Sequence, residues 1–251
     1  MISEILLFIF TTLGGIAAGA YIMGALFPRK TEGEDKPWLF SLVCLVLLGA
    51  GLLFVLFHLQ QPMRFLNALA NPTAGITLEA YFSMAFGLCV LIDFAMQFFK
   101  KKEVRGVQLA GAVLGLGLTC VMGYQYLTSM NVPAWCSWQT IPFFVILDVA
   151  MGAAVYPLFK KDAYREGSYA TASMAIQVLA IVSLVLEAVH FAGVGLSPVP
   201  FIVGAALIAV AVYFINKAKS ADAGSQVAII CALVVIGVVV ARYAYYAASI
   251  L

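Results

Sequence analysis

Four ionisable residues interrupt stretches of the chain that are otherwise almost wholly apolar: Asp93, Asp148, Glu187 and Arg242. Three more, His58, Glu79 and His190, stand where such stretches begin or end. An ionisable side chain inside an apolar run is costly to keep, so it points to proton transfer, ion passage or an internal ion pair. Glu187 and His190 are three apart, and Arg242, Tyr245 and Tyr246 stand at i, i+3 and i+4, so each set shares a helix face. Most of these groups gather toward one boundary. Protonatable groups collected there suit a site where something amphipathic exchanges protons with the aqueous side.

Each residue also has a plainer reading. His58 can be an interfacial histidine that ends its segment, and Glu79 a first-turn acid stabilised by the helix dipole. Glu187 and Arg242 can pair as a structural salt bridge. Asp93 and Asp148 can be satisfied by Thr, Tyr or backbone partners, and Tyr243, Tyr245 and Tyr246 can form an aromatic belt. Gathering, rather than any single residue, favours a site.

Other chemistries lack their residues. Cys44, Cys89, Cys120, Cys136 and Cys231 show no CxxC spacing, so neither a disulfide framework nor an iron–sulfur cluster is expected. HExxH, P-loop and GxGxxG patterns are missing, and no metal site is expected. With His58 and His190 the only histidines, both at one boundary, a haem ladder across a membrane is excluded, although a single haem between them is conceivable.

The elements that carry these residues follow from composition. Of 251 residues 64% are hydrophobic and only 10% charged, against about 25% charged in an average soluble domain. Such a chain cannot cover itself with polar side chains, and its net charge of +2 gives no reason to expect a nucleic acid. It is read as an integral membrane protein. Crossing a bilayer takes ~20 apolar residues per helix, and eight segments meet that length: 5–27, 38–57, 80–99, 107–127, 140–159, 170–191, 198–215 and 226–247. None alternates with the period of a membrane barrel strand, so the fold class is all-α, with eight transmembrane helices. Twelve of the fourteen basic residues fall in one set of loops, leaving Arg64 and Arg242 for the other side. The positive-inside rule then makes the basic loops cytoplasmic and both termini external. MISEILLF lacks a basic n-region, so no cleaved signal peptide is expected. The whole of 1–251 reads as a single membrane domain without a convincing repeat. The longest external connection, 59–78, is expected to carry a short interfacial helix over 62–69, begun by Pro62 and stopped by Asn71-Pro72. Gly15-Ile-Ala-Ala-Gly19 and Gly111-Ala-Val-Leu-Gly115 are GxxxG pairs that allow close helix packing.

Three segments carry a resemblance. His58-Leu-Gln-Gln-Pro62-Met-Arg64-Phe-Leu-Asn67-Ala-Leu, continuing to Asn71-Pro72 and Glu79-Ala-Tyr-Phe82, resembles the loop of the dimethyl sulfoxide reductase membrane anchor subunit family. Val132-Pro133-Ala134-Trp135-Cys-Ser-Trp-Gln-Thr140 is similar to that family's segment after the fourth span, and Ala241-Arg242-Tyr-Ala-Tyr-Tyr246 to its closing Arg-aromatic motif. The likeness covers essentially the whole chain. It departs from the family pattern at Gln60, where Gly is usual, and at Leu78, where Arg is common.

What the resemblance implies is a membrane anchor without haem that oxidises quinol. It would hold an iron–sulfur subunit and a molybdopterin catalytic subunit on the external side of a prokaryotic cytoplasmic (inner) membrane, in anaerobic respiration. His58 and Glu79 would belong to a menaquinol site near the outer face, with Arg64 and Arg242 as further quinol-binding candidates. The residues agree in kind. Oxidising a hydroquinone frees two protons and two electrons, and an imidazole and a carboxylate are suitable proton acceptors. No redox centre of the chain's own is expected, so the electrons would leave through a partner. Two rival readings remain: a secondary transporter, supported by Asp93 and Asp148 but not by broken helices in paired positions, and a single-haem quinol cytochrome on His58 and His190. The external surface, uncharged apart from Arg64, suits a docking partner, with Trp135 and Trp138 as anchors or as a lipid belt.

Overall fold

A computed structural model describes residues 4–29, 36–58, 70–130, 132–160, 162–219 and 224–250. They form eight long helices: α1 (Ile5–Leu26), α2 (Leu39–His58), α3 (Gly75–Lys100), α4 (Arg105–Leu127), α5 (Thr140–Val155), α6 (Gly167–Gly193), α7 (Val199–Ala218) and α8 (Gly224–Ala247). Each is long and apolar enough to cross a membrane, with α5 reaching that length through the 3-10 turn that follows it. No described residue is in a strand. The expected interfacial helix over 62–69, and Arg64 within it, lie outside the described residues.

Local chemistry sets several helix ends. Pro142 and Pro200 stand in the first turns of α5 and α7, where a missing amide donor costs nothing. Pro157 stands at the other end of α5, where it removes a donor the helix would use, and the chain tightens into a 3-10 turn over Tyr156–Leu158. Asn71 accepts from the Thr73 hydroxyl at 2.9 Å, and that turn delivers the chain into α3 at Gly75. The helix therefore begins five residues before the expected 80, and Glu79 lies inside it rather than at its opening.

An even number of spans brings both chain ends to one face, called here the terminal face; the basic loops make up the other. α1, α2, α3 and α4 each pack on the next and α4 closes on α1; α5 to α8 repeat the same ring, with α8 closing on α5. The molecule is thus two four-helix bundles in the same up-and-down order. The sequence carries no matching repeat that we detect. The bundles join where α1 packs along α5, and these two helices are two-thirds buried, against 28–39% for the other six. Glycine makes that contact possible. A Cβ on Gly19 would overlap the Asp148 carbonyl, and one on Gly152 would overlap the backbone at Gly19 and Ala20. Outward faces carry Val46, Leu53, Leu88, Val113, Val189 and Ile236, all exposed, as lipid-facing positions require.

Candidate functional site

The first bundle contains an apolar cavity of about 140 Å³ toward the terminal face, lined by α1, α2 and α3. Phe10, Leu52, Val55, Ile76 and Met84 make most of its wall. Two polar side chains enter that wall, Glu79 and, one turn deeper on α3, Ser83. Both are buried, and among the described residues neither Glu79 Oε1 nor Ser83 Oγ has a hydrogen-bond partner. An unpartnered carboxyl oxygen in an apolar wall is expensive unless something else visits it.

His58 is the last residue of α2, and its Nε2 lies 3.5 Å from Glu4 Oε2, just before α1. Glu4 in turn lines a wide, half-polar cleft of about 430 Å³ on the terminal face, together with Gln125, Tyr126, Ser129, Trp135 and Ser249. Tyr126 lines this cleft. Its hydroxyl pairs with that of Tyr246, and both tyrosines lie within the electrostatic reach of Glu79. Tyr246 continues the network, 2.9 Å from Thr11 Oγ1, and the Thr11 carbonyl accepts from Arg242 Nη1 at 2.7 Å.

Arg242 is fully buried and forms an ion pair with Asp148 Oδ1, with its guanidinium 4.9 Å above the Phe144 ring. Gly15 makes room for the pair, because a Cβ there would overlap the Asp148 carboxylate. The expected alternative, a Glu187–Arg242 bridge, is not what forms. Arg242 turns to Asp148 because α8 packs on α5 beside α1, and Gly15 leaves its niche on that side. Asp93 lies near the basic face and accepts from Ser41 Oγ at 2.6 Å and Gln108 Nε2 at 3.3 Å.

Two aromatic expectations are corrected. Tyr245 and Tyr246 are wholly buried rather than in a belt, and only Tyr243 of that trio faces outward. Trp135 is neither anchor nor belt: its indole N–H donates to the Tyr245 carbonyl at 2.8 Å, and its ring stacks on Tyr245 and meets Tyr126 edge-on. Trp138 does stand on the surface, 62% exposed.

Residues 1–244 match the family model described as DMSO reductase anchor subunit (DmsC). The chain belongs to that family. Comparison with curated proteins gives no match. As an anchor subunit of a DMSO-reductase-type complex, the chain is a multi-pass membrane protein that associates with the catalytic and iron–sulfur subunits. That assignment sets the transporter reading aside. The anchor's two histidines stand in the last turns of α2 and α6, in different bundles, and His190 Nε2 lies 3.0 Å from the Ala134 carbonyl. Of the site residues expected from the sequence, His58 and Glu79 sit toward the same face around the first bundle, Arg242 joins them only through Thr11 and Tyr246, and Arg64 lies outside the described residues. Sequence reasoning missed Glu4, Ser83, Gln125 and Tyr126. The i, i+4 spacing of Glu79 and Ser83 was the one available signal among them.

Proposed function

We propose that this anchor oxidises menaquinol at the Glu79 cavity and passes the electrons to the iron–sulfur subunit docked on the terminal face. The observation that carries the reading is the Glu79 carboxyl, buried and unpartnered at Oε1 in an apolar wall beside an equally unpartnered Ser83. A quinol is itself amphipathic. Its ring and hydroxyls suit a cavity with two polar groups, and its apolar tail suits the lipid-facing edge where Leu53 and Met84 are exposed. Oxidation releases two protons and two electrons. Glu79 takes one proton; His58, held beside Glu4, takes the other and returns it to the aqueous side. The electron pair leaves to the partner's cluster. Arg242 acts through Thr11 and Tyr246, holding Tyr126 toward Glu79 rather than touching the ring.

The positive-inside distribution supports an external terminal face in a prokaryotic cytoplasmic membrane, with both chain ends outside. Exposed Met130 and Trp138 on that face support a partner there. The test is Glu79→Gln in the assembled complex, which keeps the shape and removes the base. Quinol oxidation should fall about 10²–10⁴-fold, the usual worth of a positioned base, while reduction of the terminal substrate by a soluble dye continues. Wild-type quinol oxidation in an assembled Glu79→Gln complex overturns the assignment.

A further inference from the structure

The second bundle repeats the ingredients of the Glu79 site. Glu187 on α6 is fully buried, and among the described residues neither of its carboxyl oxygens has a hydrogen-bond partner. Ser183, one turn deeper into the bundle, is buried with an unpartnered hydroxyl, just as Ser83 lies one turn deeper than Glu79. His190 is in the last turn of α6, as His58 is in the last turn of α2, and these are the second helices of their bundles. Farther along the same buried side of α6, Gln177 Oε1 is also without a partner among the described residues, and Ser173 lies within hydrogen-bond reach of the Tyr164 hydroxyl. Four unpartnered polar atoms thus follow one helix through the bundle core.

Among the described residues no cation answers the Glu187 carboxyl. Arg242 is committed to Asp148 at the junction between the bundles, and His190 to the Ala134 carbonyl. The titratable groups around Glu187 are His190 on its own helix and Tyr245 of α8, which lies within its electrostatic reach. α5 and α7 bring Phe143 and Phe201, which pack with Phe191 and Tyr245 on the terminal side. All four rings are buried, so they pack the terminal end of this bundle's core. An ionised carboxylate left alone in such a core would cost several kcal/mol. A neutral carboxyl sharing water with neighbouring hydroxyl and amide oxygens would not, because one buried water makes about 3 hydrogen bonds to groups of this kind.

We propose that Glu187 is a second proton-binding site of the anchor, a neutral carboxyl joined by bound water to Ser183. It is sealed from the terminal face by the Phe143, Phe191, Phe201 and Tyr245 rings and takes no quinol. The proposal is independent of quinol oxidation at Glu79, because its evidence is the state of one carboxyl and not turnover. Infrared spectra of the purified complex test it. Wild type should show a carbonyl-stretch band of a protonated carboxylic acid that shifts down in D2O and is lost in Glu187→Gln. Ser183→Ala, which keeps the glutamate, should move that band to higher frequency by weakening its hydrogen bonding. Superimposable wild-type and Glu187→Gln spectra across the accessible pH range overturn the proposal. So does a band that appears only after sodium and potassium are removed, since a metal cation would then be the occupant. If Glu187→Gln fails to assemble, an unmoved band in Ser183→Ala still refutes the shared water.

Discussion

Asp148 and Arg242 give the sharpest energetic test of the structure. Both are fully buried, and they meet where α1, α5 and α8 come together. Removing one partner strands the other. Asp148→Asn leaves a guanidinium with no counter-charge, facing only the Thr11 carbonyl and the Phe144 ring. Breaking a buried pair in this way costs about 3–5 kcal/mol, most of it the penalty of the uncompensated charge. Arg242→Met should cost about the same, since it leaves the aspartate alone. The double variant removes both charges and keeps the volume; its remaining expense is an asparagine amide in a buried niche, about 1–3 kcal/mol. The assay is reversible unfolding of the purified anchor in mixed lipid–detergent micelles, read as a double-mutant cycle. The singles should each lose more than the double, with a coupling energy of at least ~3 kcal/mol. If Asp148→Asn costs under ~1 kcal/mol, or the two losses simply add, the ion pair is not where the structure puts it.

Gly15→Ala drives a methyl group into the Asp148 carboxylate and should mimic loss of the pair, lowering stability by roughly 1–3 kcal/mol through overpacking; the same unfolding assay reads it, and a neutral outcome would mean that α1 can move away from α5. Trp135→Ala removes a buried ring and its bond to the Tyr245 carbonyl, so it should cost about 3–5 kcal/mol and lower the yield of the anchor itself. Trp138→Ala touches only an exposed ring and should leave the anchor intact while weakening co-purification of the iron–sulfur subunit. A cysteine placed at Lys101 in a cysteine-free background should react with a membrane-impermeant maleimide only after lysis, and labelling in intact cells would invert the assigned sidedness.

Much of the fold was legible because a bilayer leaves few choices. A run of about twenty apolar residues must be a helix, and all eight segments are. Their ends were less legible. Asn71-Pro72 followed by Ala74-Gly75 reads as loop, yet the Asx turn at Asn71 starts α3 early and carries Glu79 a turn into the bundle. The two-bundle arrangement was not legible at all, since a core-facing and a lipid-facing residue are equally apolar in a membrane chain. For the same reason nothing local marked Gly15 as the niche for an aspartate on α5, or assigned to Asp148 an arginine 94 positions away. Trp135 read as surface because it falls in an uncharged external connection between spans; its partner carbonyl lies 110 positions away. Sequence spacing finds neighbours within a helix, and apart from the early start of α3 the corrections here are contacts between distant segments.

The buried ionisable groups sort by what answers them. Asp148 has a counter-charge, at the seam between bundles, and such a pair fixes geometry: it exchanges a proton only by giving up its partner. Asp93, near the basic face, has neutral donors from Ser41 and Gln108, which satisfy a carboxylate without fixing its charge. Glu79 and Glu187 differ from both. Each lies in the core of one bundle with a serine a turn deeper, and each has carboxyl oxygen left unpartnered. A group in that state is stable only as the neutral acid or with a visitor, so it is suited to gain and lose protons where a paired one is not. What separates the two is space. The Glu79 wall lines about 140 Å³, whereas Phe143, Phe191, Phe201 and Tyr245 pack together on the terminal side of the Glu187 bundle, which is why quinol is proposed for the first carboxyl and only protons and water for the second.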